Sequence, residues 1–142
     1  MAQSTYLLEN QNRMGQKSDW FTVLPAVLAG SATRTSELFI ARFTKGVMFE
    51  IVLANEANAA GFTPKILVPN AVAGGADIVI ASFTELTANG TSILTLSPYT
   101  LTGFGTEFKL GMIPREWKLQ LTYTTGAAGT DKFDTKAYAR YI

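Results

Sequence analysis

The residue types that most often perform chemistry are scarce in this chain of 142 residues, which contains no histidine and no cysteine. Without an imidazole or a thiolate, acid–base or nucleophilic catalysis would depend on Asp, Glu, Lys or Tyr. Asp131 and Asp134 stand close in sequence but project from opposite faces if both belong to a strand. A calcium ion needs roughly six to eight oxygen ligands, which this pair does not supply. We therefore predict no enzymatic activity, no bound metal and no cofactor.

The glycine-rich motifs do not have the context of a phosphate-binding loop. Neither Gly103-Phe104-Gly105 nor Gly74-Gly75 lies between a predicted strand and a helix, and no Gly-Lys-Ser/Thr follows. We predict turns or bulges at both. Asn89-Gly90-Thr91 matches a glycosylation sequon, but Asn-Gly between two β runs is typical of a hairpin turn, which is the prediction here.

The two tryptophans could stack on sugar rings, as aromatic residues do in carbohydrate-binding modules. Trp117 begins an alternating pattern with Leu119, Leu121 and Tyr123, whereas the residues between them are polar. Because side chains alternate across a strand with period two, this pattern predicts a strand with these four side chains in the core. Trp20 precedes the first apolar run, and a position in the core or at an interface fits it equally well.

Further period-two runs indicate short β-strands at frequent intervals after residue 18, with at most one helical turn over residues 55–60. Val47, Phe49, Ile51 and Leu53 form a second predicted core face. Strands are predicted over residues 20–28, 37–43, 47–53, 65–68, 77–86, 92–96, 108–113, 116–124 and 132–141. Frequent turns and the lack of an amphipathic helix predict a single all-β domain over residues 19–142, built as a β-sandwich or barrel.

Three of these strands carry more specific expectations. Pro25 lacks an N–H group, which indicates an edge strand or a bulge in the first run. The run 77–86 is rich in Ile and Val and is predicted to be buried on both faces. The run 132–141 is expected to pair with 116–124 across the turn Gly126-Ala127-Ala128-Gly129.

Composition limits the classes of partner. Hydrophobic residues make up 47% of the chain and charged residues 16%, against about a quarter in typical soluble domains. Such sparse charge fits a protein that covers much of its exterior with neighbours, and it also fits solubility through Thr, Ser and Asn. The net charge of +1, without a basic run, argues against nucleic-acid binding and against an anionic membrane surface.

Residues 1–18 differ from the rest in being rich in Gln, Asn and Ser, with one small apolar group at Tyr6, Leu7 and Leu8. A segment of this composition cannot form a core of its own. We predict an extended N-terminal arm that binds an adjacent subunit or partner. The residues expected to make that contact are Tyr6, Leu7, Leu8, Arg13, Met14 and Trp20. The alternative is an arm that folds back on its own domain.

Two stretches carry a family resemblance. The first runs from Phe62-Thr63-Pro64-Lys65-Ile66-Leu67-Val68 through Leu86-Thr87-Ala88-Asn89-Gly90-Thr91 to Leu94-Thr95-Leu96-Ser97-Pro98. The second is Ile113-Pro114-Arg115-Glu116-Trp117-Lys118-Leu119, followed by Tyr123-Thr124-Thr125-Gly126. Together they resemble small structural proteins encoded among the head genes of tailed phages. The resemblance covers about residues 24–142.

The resemblance implies a capsid decoration, or cement, protein in the virion. Such a protein is assembled in the host cytoplasm and binds the major capsid protein on the exterior of the phage head. It commonly forms a homotrimer and uses a terminal arm to reach its neighbours. Two alternatives remain at this stage: another virion subunit, in the tail or the head–tail joint, and a carbohydrate-binding adhesin domain.

Overall fold

The computed structural model describes residues 19–29, 33–41, 45–57, 61–99, 105–125 and 132–142. The predicted arm, residues 1–18, lies outside the described residues. Every named element in these ranges is a strand: β1 (Phe21–Ala29), β2 (Arg34–Thr35), β3 (Phe39–Ile40), β4 (Val47–Ala57), β5 (Gly61–Val68), β6 (Ile78–Ser82), β7 (Gly90–Ser97), β8 (Glu107–Leu110), β9 (Glu116–Thr125) and β10 (Lys132–Tyr141).

The strands form two sheets that pack face to face, which confirms the all-β prediction and, of the two predicted architectures, agrees with the sandwich. The first sheet has the order β1-β10-β4-β7-β8, and the second has the order β2-β9-β5-β6, with β3 also paired to β9. Pairing is antiparallel throughout except between β7 and β8, which run parallel. Each sheet buries the face on which its strands carry alternating apolar side chains.

The core contains the side chains that period two selects. Trp117, Leu119 and Leu121 of β9 are fully buried and face Phe49 and Ile51 of β4, so the predicted core faces of both strands are confirmed. The rings of Phe49 and Trp117 meet edge to face, with centroids 5.5 Å apart. The remaining predicted residues agree: Val47 and Leu53 are buried, and Tyr123 packs half-buried against the core.

Proline positions in both sheets follow from the missing backbone donor. Pro25 lies in the edge strand β1, whose register against β10 shifts on both sides of Leu24, as expected for a bulged edge. Pro64 lies inside β5, a strand predicted to begin only at Lys65. Its carbonyl accepts a hydrogen bond from the Phe83 N–H at 2.9 Å, beyond the last residue of β6. The strand therefore continues through the proline at a point where the neighbouring strand has ended.

Three expectations about strands are wrong. The run 77–86 forms only the short strand Ile78–Ser82, which lies at a sheet edge and is largely exposed, not buried on both faces. Asn89-Gly90 does not close a hairpin, because β6 and β7 belong to different sheets. Similarly, β10 pairs with β1 and β4, not with β9. The first error concerns a strand at the edge of its sheet, and the other two concern strands that are neighbours in the sequence but lie in different sheets. Alternation specifies neither the position of a strand in a sheet nor the sheet that it joins.

Two residues of the second sheet reach across to the first. The Arg34 guanidinium of β2 donates hydrogen bonds to the carbonyl and hydroxyl oxygens of Thr135 in β10 and to the Pro25 carbonyl in β1. Further along, the Trp117 indole N–H donates to the Tyr141 hydroxyl at 3.1 Å, which itself donates to the Ile40 carbonyl at 3.2 Å. These contacts fix which end of one sheet lies over which end of the other.

Candidate interaction surface

The sandwich has two ends, and the register of its strands shows which residues share each of them. Tyr141, near the end of β10, pairs with Val47 at the start of β4, and Val47 pairs with Leu96 near the end of β7. The Trp117–Tyr141 hydrogen bond places the start of β9 at the same level. At this end β5, β7, β8 and β10 finish, and β1, β4, β6 and β9 begin. We call it the Met112 end, after an exposed residue of the segment that joins β8 to β9.

Among the residues whose exposure the structure describes, the exposed large hydrophobic side chains lie in the half of the sandwich that contains the Met112 end. Where the structure describes exposure, ten such residues are 39–69% accessible: Trp20, Leu38, Ile40, Val72, Ile78, Val79, Ile80, Tyr99, Leu110 and Met112. Each one lies in a strand that starts or finishes at this end, next to such a strand, or in a connection between two of them. Single exposed apolar residues are common, but a concentration on one part of a molecule is typical of an interaction site.

Five of the exposed residues at the Met112 end lie outside β6 and the connection that precedes it, and we call them the apolar end surface: Trp20, Ile40, Tyr99, Leu110 and Met112. Trp20 precedes β1, Ile40 finishes β3, Tyr99 follows β7, and Leu110 finishes β8. Tyr, Trp and Met are enriched at protein interfaces, where they supply large contact areas. The composition of this surface therefore favours a protein partner.

Backbone hydrogen bonds hold the segments that carry this surface. The Gly111 N–H donates to the Ser97 carbonyl at 2.9 Å, and the Ile113 N–H donates to the Lys45 carbonyl at 2.9 Å. Met112 is thus fixed on both sides while its side chain is 58% exposed. A surface whose backbone is already ordered loses less conformational entropy on binding than one that must first fold.

Charged side chains of both signs surround the apolar end surface, and the exposed Asp19, Arg115 and Glu116 are among them. The Lys45 ammonium lies 3.3 Å from the Tyr99 hydroxyl and 5.8 Å from the centre of its ring, a cation–π distance. Lys118 is paired with Asp77, their charged atoms being 2.9 Å apart. Neither sign of charge dominates, so recognition at this end would rest on shape and apolar contact more than on a field.

One titratable group below this surface has a shifted pKa. Burial raises the pKa of Tyr141 above its usual value of 10.0, and the hydrogen bond from the Trp117 indole acts in the opposite direction. The Tyr141 hydroxyl is an internal link between the sheets. Within the described residues, no group of three or more His, Cys, Asp or Glu side chains is placed to hold a metal ion.

The structure describes one of the six residues predicted from the sequence to bind a partner. Tyr6, Leu7, Leu8, Arg13 and Met14 lie outside the described residues. Trp20 is 39% exposed and stands immediately before β1, at the Met112 end. The sequence is equally consistent with a core position and an interface position for Trp20, and its exposure favours the interface position. Residues 1–18 therefore join the domain beside the apolar end surface.

Sequence reasoning missed Tyr99, Leu110 and Met112. The run 108–113 contains a pattern that could have predicted exposed apolar residues. In this run Phe108, Leu110 and Met112 alternate with Lys109, Gly111 and Ile113. Both faces of this run carry apolar residues, yet a short edge strand can bury only one of them. The structure buries Ile113 and exposes Leu110 and Met112.

The comparisons with known proteins do not identify a relative. No family model, no curated protein and no solved structure matches the chain. In the part of the chain that the structure describes, no helix is long and apolar enough to cross a membrane. Function must therefore be argued from the surface.

Proposed function

We propose that this protein is a capsid decoration protein of a tailed phage, which binds the major capsid protein on the head exterior and stabilises the shell. The virion, assembled in the host cytoplasm, is its proposed location, with three copies grouped as a homotrimer. The observation that carries the proposal is the apolar end surface, together with the attachment of residues 1–18 at the same end.

The energetics of the apolar end surface support a partner that covers it permanently. Tyr99, Leu110 and Met112 are each 58–67% exposed. Apolar area removed from water contributes about 25 cal/mol per Å², so covering several large side chains yields several kcal/mol before ordering costs. A partner that stays bound keeps this surface away from water.

The fold and the composition also support a structural role for the protein. An all-β sandwich with 16% charged residues offers broad uncharged surfaces, and the net charge of +1 provides no field for nucleic acid. The resemblance of residues 24–142 to phage head proteins supplies the identity of the proposed partner. Tyr6, Leu7 and Leu8 in the arm would extend the contact from the Met112 end to a neighbouring subunit.

The test measures binding of the protein to intact tailed-phage heads. Replacing Leu110 and Met112 together by Glu introduces charges into the proposed contact, and we expect a loss of binding of roughly tenfold or more. The matched control is Ala88→Glu, which adds a charge at an exposed position of the opposite end. Sedimentation with heads gives the bound fraction, and cryo-electron microscopy gives the copies per capsomer.

Each alternative has its own result in these experiments. Cryo-electron microscopy density for the protein in tail rings or tubes, with none on the head, would favour another virion role over capsid decoration. Binding to a glycan array that is lost on Trp20→Ala would instead favour a carbohydrate-binding domain. Equal binding of the double variant and Ala88→Glu would show that the Met112 end is not the contact.

A further inference from the structure

The edge strands of the two sheets differ in their protection against pairing with another chain. Edge strands are normally protected by proline, charge, bulges or short length. Among the described strands, β1 carries Pro25 and two register shifts, and β2 has only two residues, one of them Arg34. The edge strand β8 has four residues, of which Glu107 and Lys109 are charged. All three edges carry a recognised obstacle to pairing.

The fourth edge, β6, carries the least protection. Its five residues, Ile78–Ser82, include no charge and no proline. Ile78, Val79 and Ile80 are 42–50% exposed. One edge of β6 pairs with β5, and no described strand pairs with the other edge. Its protection consists of its short length and a register shift against β5, which leaves Ile80 as an extra residue.

The surroundings of β6 hold it in place and neutralise the nearest charge. Asp77, directly before the strand, accepts a hydrogen bond from the Lys118 ammonium at 2.9 Å. After the strand, the Thr84 N–H donates to a Glu107 carboxylate oxygen of β8 at 2.7 Å. Both ends of β6 are therefore held by hydrogen bonds. The carboxylates of Asp77 and Glu107 already accept hydrogen bonds from groups of the same molecule.

We propose that β6 pairs antiparallel with β6 of a second copy of this chain. A strand without charge is complementary to itself, because antiparallel pairing places no like charges opposite one another. Full overlap of the two strands places Ile78 opposite Ser82, and Ile80 opposite the same residue of the second copy. The contact is twofold symmetric and joins the two second sheets into one.

This contact goes beyond the proposed function and does not depend on it, since it lies on β6 and not on the apolar end surface. Five-residue pairing buries less area than a standard stable interface. The free protein should therefore associate in a concentration-dependent equilibrium. On a capsid, where copies are held close together, the same contact would link neighbouring decoration units.

The experiment exploits the symmetry of the contact. Ile80→Lys and Ile80→Glu each place like charges opposite one another across the twofold axis, so each variant alone should lose self-association at least about tenfold. An equimolar mixture places Lys opposite Glu and should recover it. Analytical ultracentrifugation over a concentration series should show wild type and mixture reaching at least twice the mass of either variant alone. Circular dichroism verifies that both variants are folded.

Two further variants test whether the effect is specific to β6 and whether residues 1–18, and not a second copy of β6, pair with this edge. Val72→Lys adds a charge at an exposed position in the connection from β5 to β6 and should leave association unchanged. Deletion of residues 1–18 should also leave the effect of the Ile80 variants unchanged. The proposal is overturned if wild type has the mass of the variants, if the mixture fails to recover association, or if the arm deletion removes the difference.

Discussion

Gly105 and Gly74 share a left-handed backbone, with φ of +79° at each, but differ in their surroundings. A Cβ built on Gly74 meets no atom within 4 Å, whereas one on Gly105 lies 2.5 Å from the Ile93 Cβ and 2.7 Å from its carbonyl oxygen. Left-handed backbone costs a residue with a side chain about 1–2 kcal/mol. Gly105 thus has a steric role between β7 and β8 as well as a conformational one.

The pair makes a matched test. We expect Gly74→Ala to lower the free energy of unfolding by about 1 kcal/mol, and Gly105→Ala to lower it by at least about 2 kcal/mol, since only the second adds a clash. Urea unfolding of both variants measures the difference. Equal costs would mean that β7 and β8 separate easily at this point.

Tyr141 gives the stability a predictable dependence on alkaline pH. Burial favours the neutral phenol, so its pKa in the folded protein lies above the value of 10.0 expected in the unfolded chain. Its contribution is fully present below pH 10.0 and is lost as pH rises through the folded pKa. We expect the free energy of unfolding of the wild type to fall above pH 10.0.

Tyr141→Phe should remove this part of the pH dependence and leave the Trp117 indole N–H without its acceptor. The variant is expected to be about 1–3 kcal/mol less stable at neutral pH, with a shallower decline in alkali. Denaturant unfolding at several pH values, with phenolate absorbance followed in parallel, measures both effects. An unchanged alkaline slope would assign the decline to other groups.

Elements of the two sheets are joined at one side of the sandwich by Arg34. Its guanidinium binds the Thr135 carbonyl and hydroxyl oxygens and the Pro25 carbonyl, so β2 in one sheet is held to β10 and β1 in the other. Hydrogen bonds from a charged donor contribute more than neutral ones, and several bonds of a planar guanidinium cannot all be replaced by an ammonium.

We expect Arg34→Ala to lower the free energy of unfolding by about 1.5–3 kcal/mol, and Arg34→Lys to recover less than half of that loss. The control is Arg115→Ala at an exposed position, for which a change within about 0.5 kcal/mol is expected. Thermal and urea unfolding measure all three. Full recovery with lysine would show that charge alone matters at this position.

At the scale of the whole molecule, our proposal assigns partner binding to the predicted arm and the apolar end surface together. The described residues of the two sheets bury a continuous core between them. We therefore predict that deleting residues 1–18 leaves the melting temperature within about 3 °C of the full chain. The same deletion should abolish or strongly reduce binding to heads, or formation of the trimer.

Calorimetry and sedimentation with heads together test this prediction. The deletion variant could instead unfold, while any fraction that does fold still assembles. That result would show that the arm folds back on its own domain. Retained stability with unchanged binding would assign the contact to the sandwich alone.

The alternation of apolar residues by itself determined the all-β class, the core faces of β4 and β9, and the irregular first strand at Pro25. These features follow from period two and from a missing N–H, which are local properties of the chain. Residue types also determined what chemistry to expect, because the absence of His and Cys is independent of fold.

Only the tertiary structure decided which strands pair, which sheet each one joins and which of its faces remain exposed. The run 77–86 shows the reason: its Ile and Val residues are of types usually buried, yet β6 is the last of the described strands in its sheet and only β5 pairs with it among them. The same holds for Leu110 and Met112, which lie where the strands end. Burial depends on neighbours that are distant in sequence, and local periodicity gives no information about them.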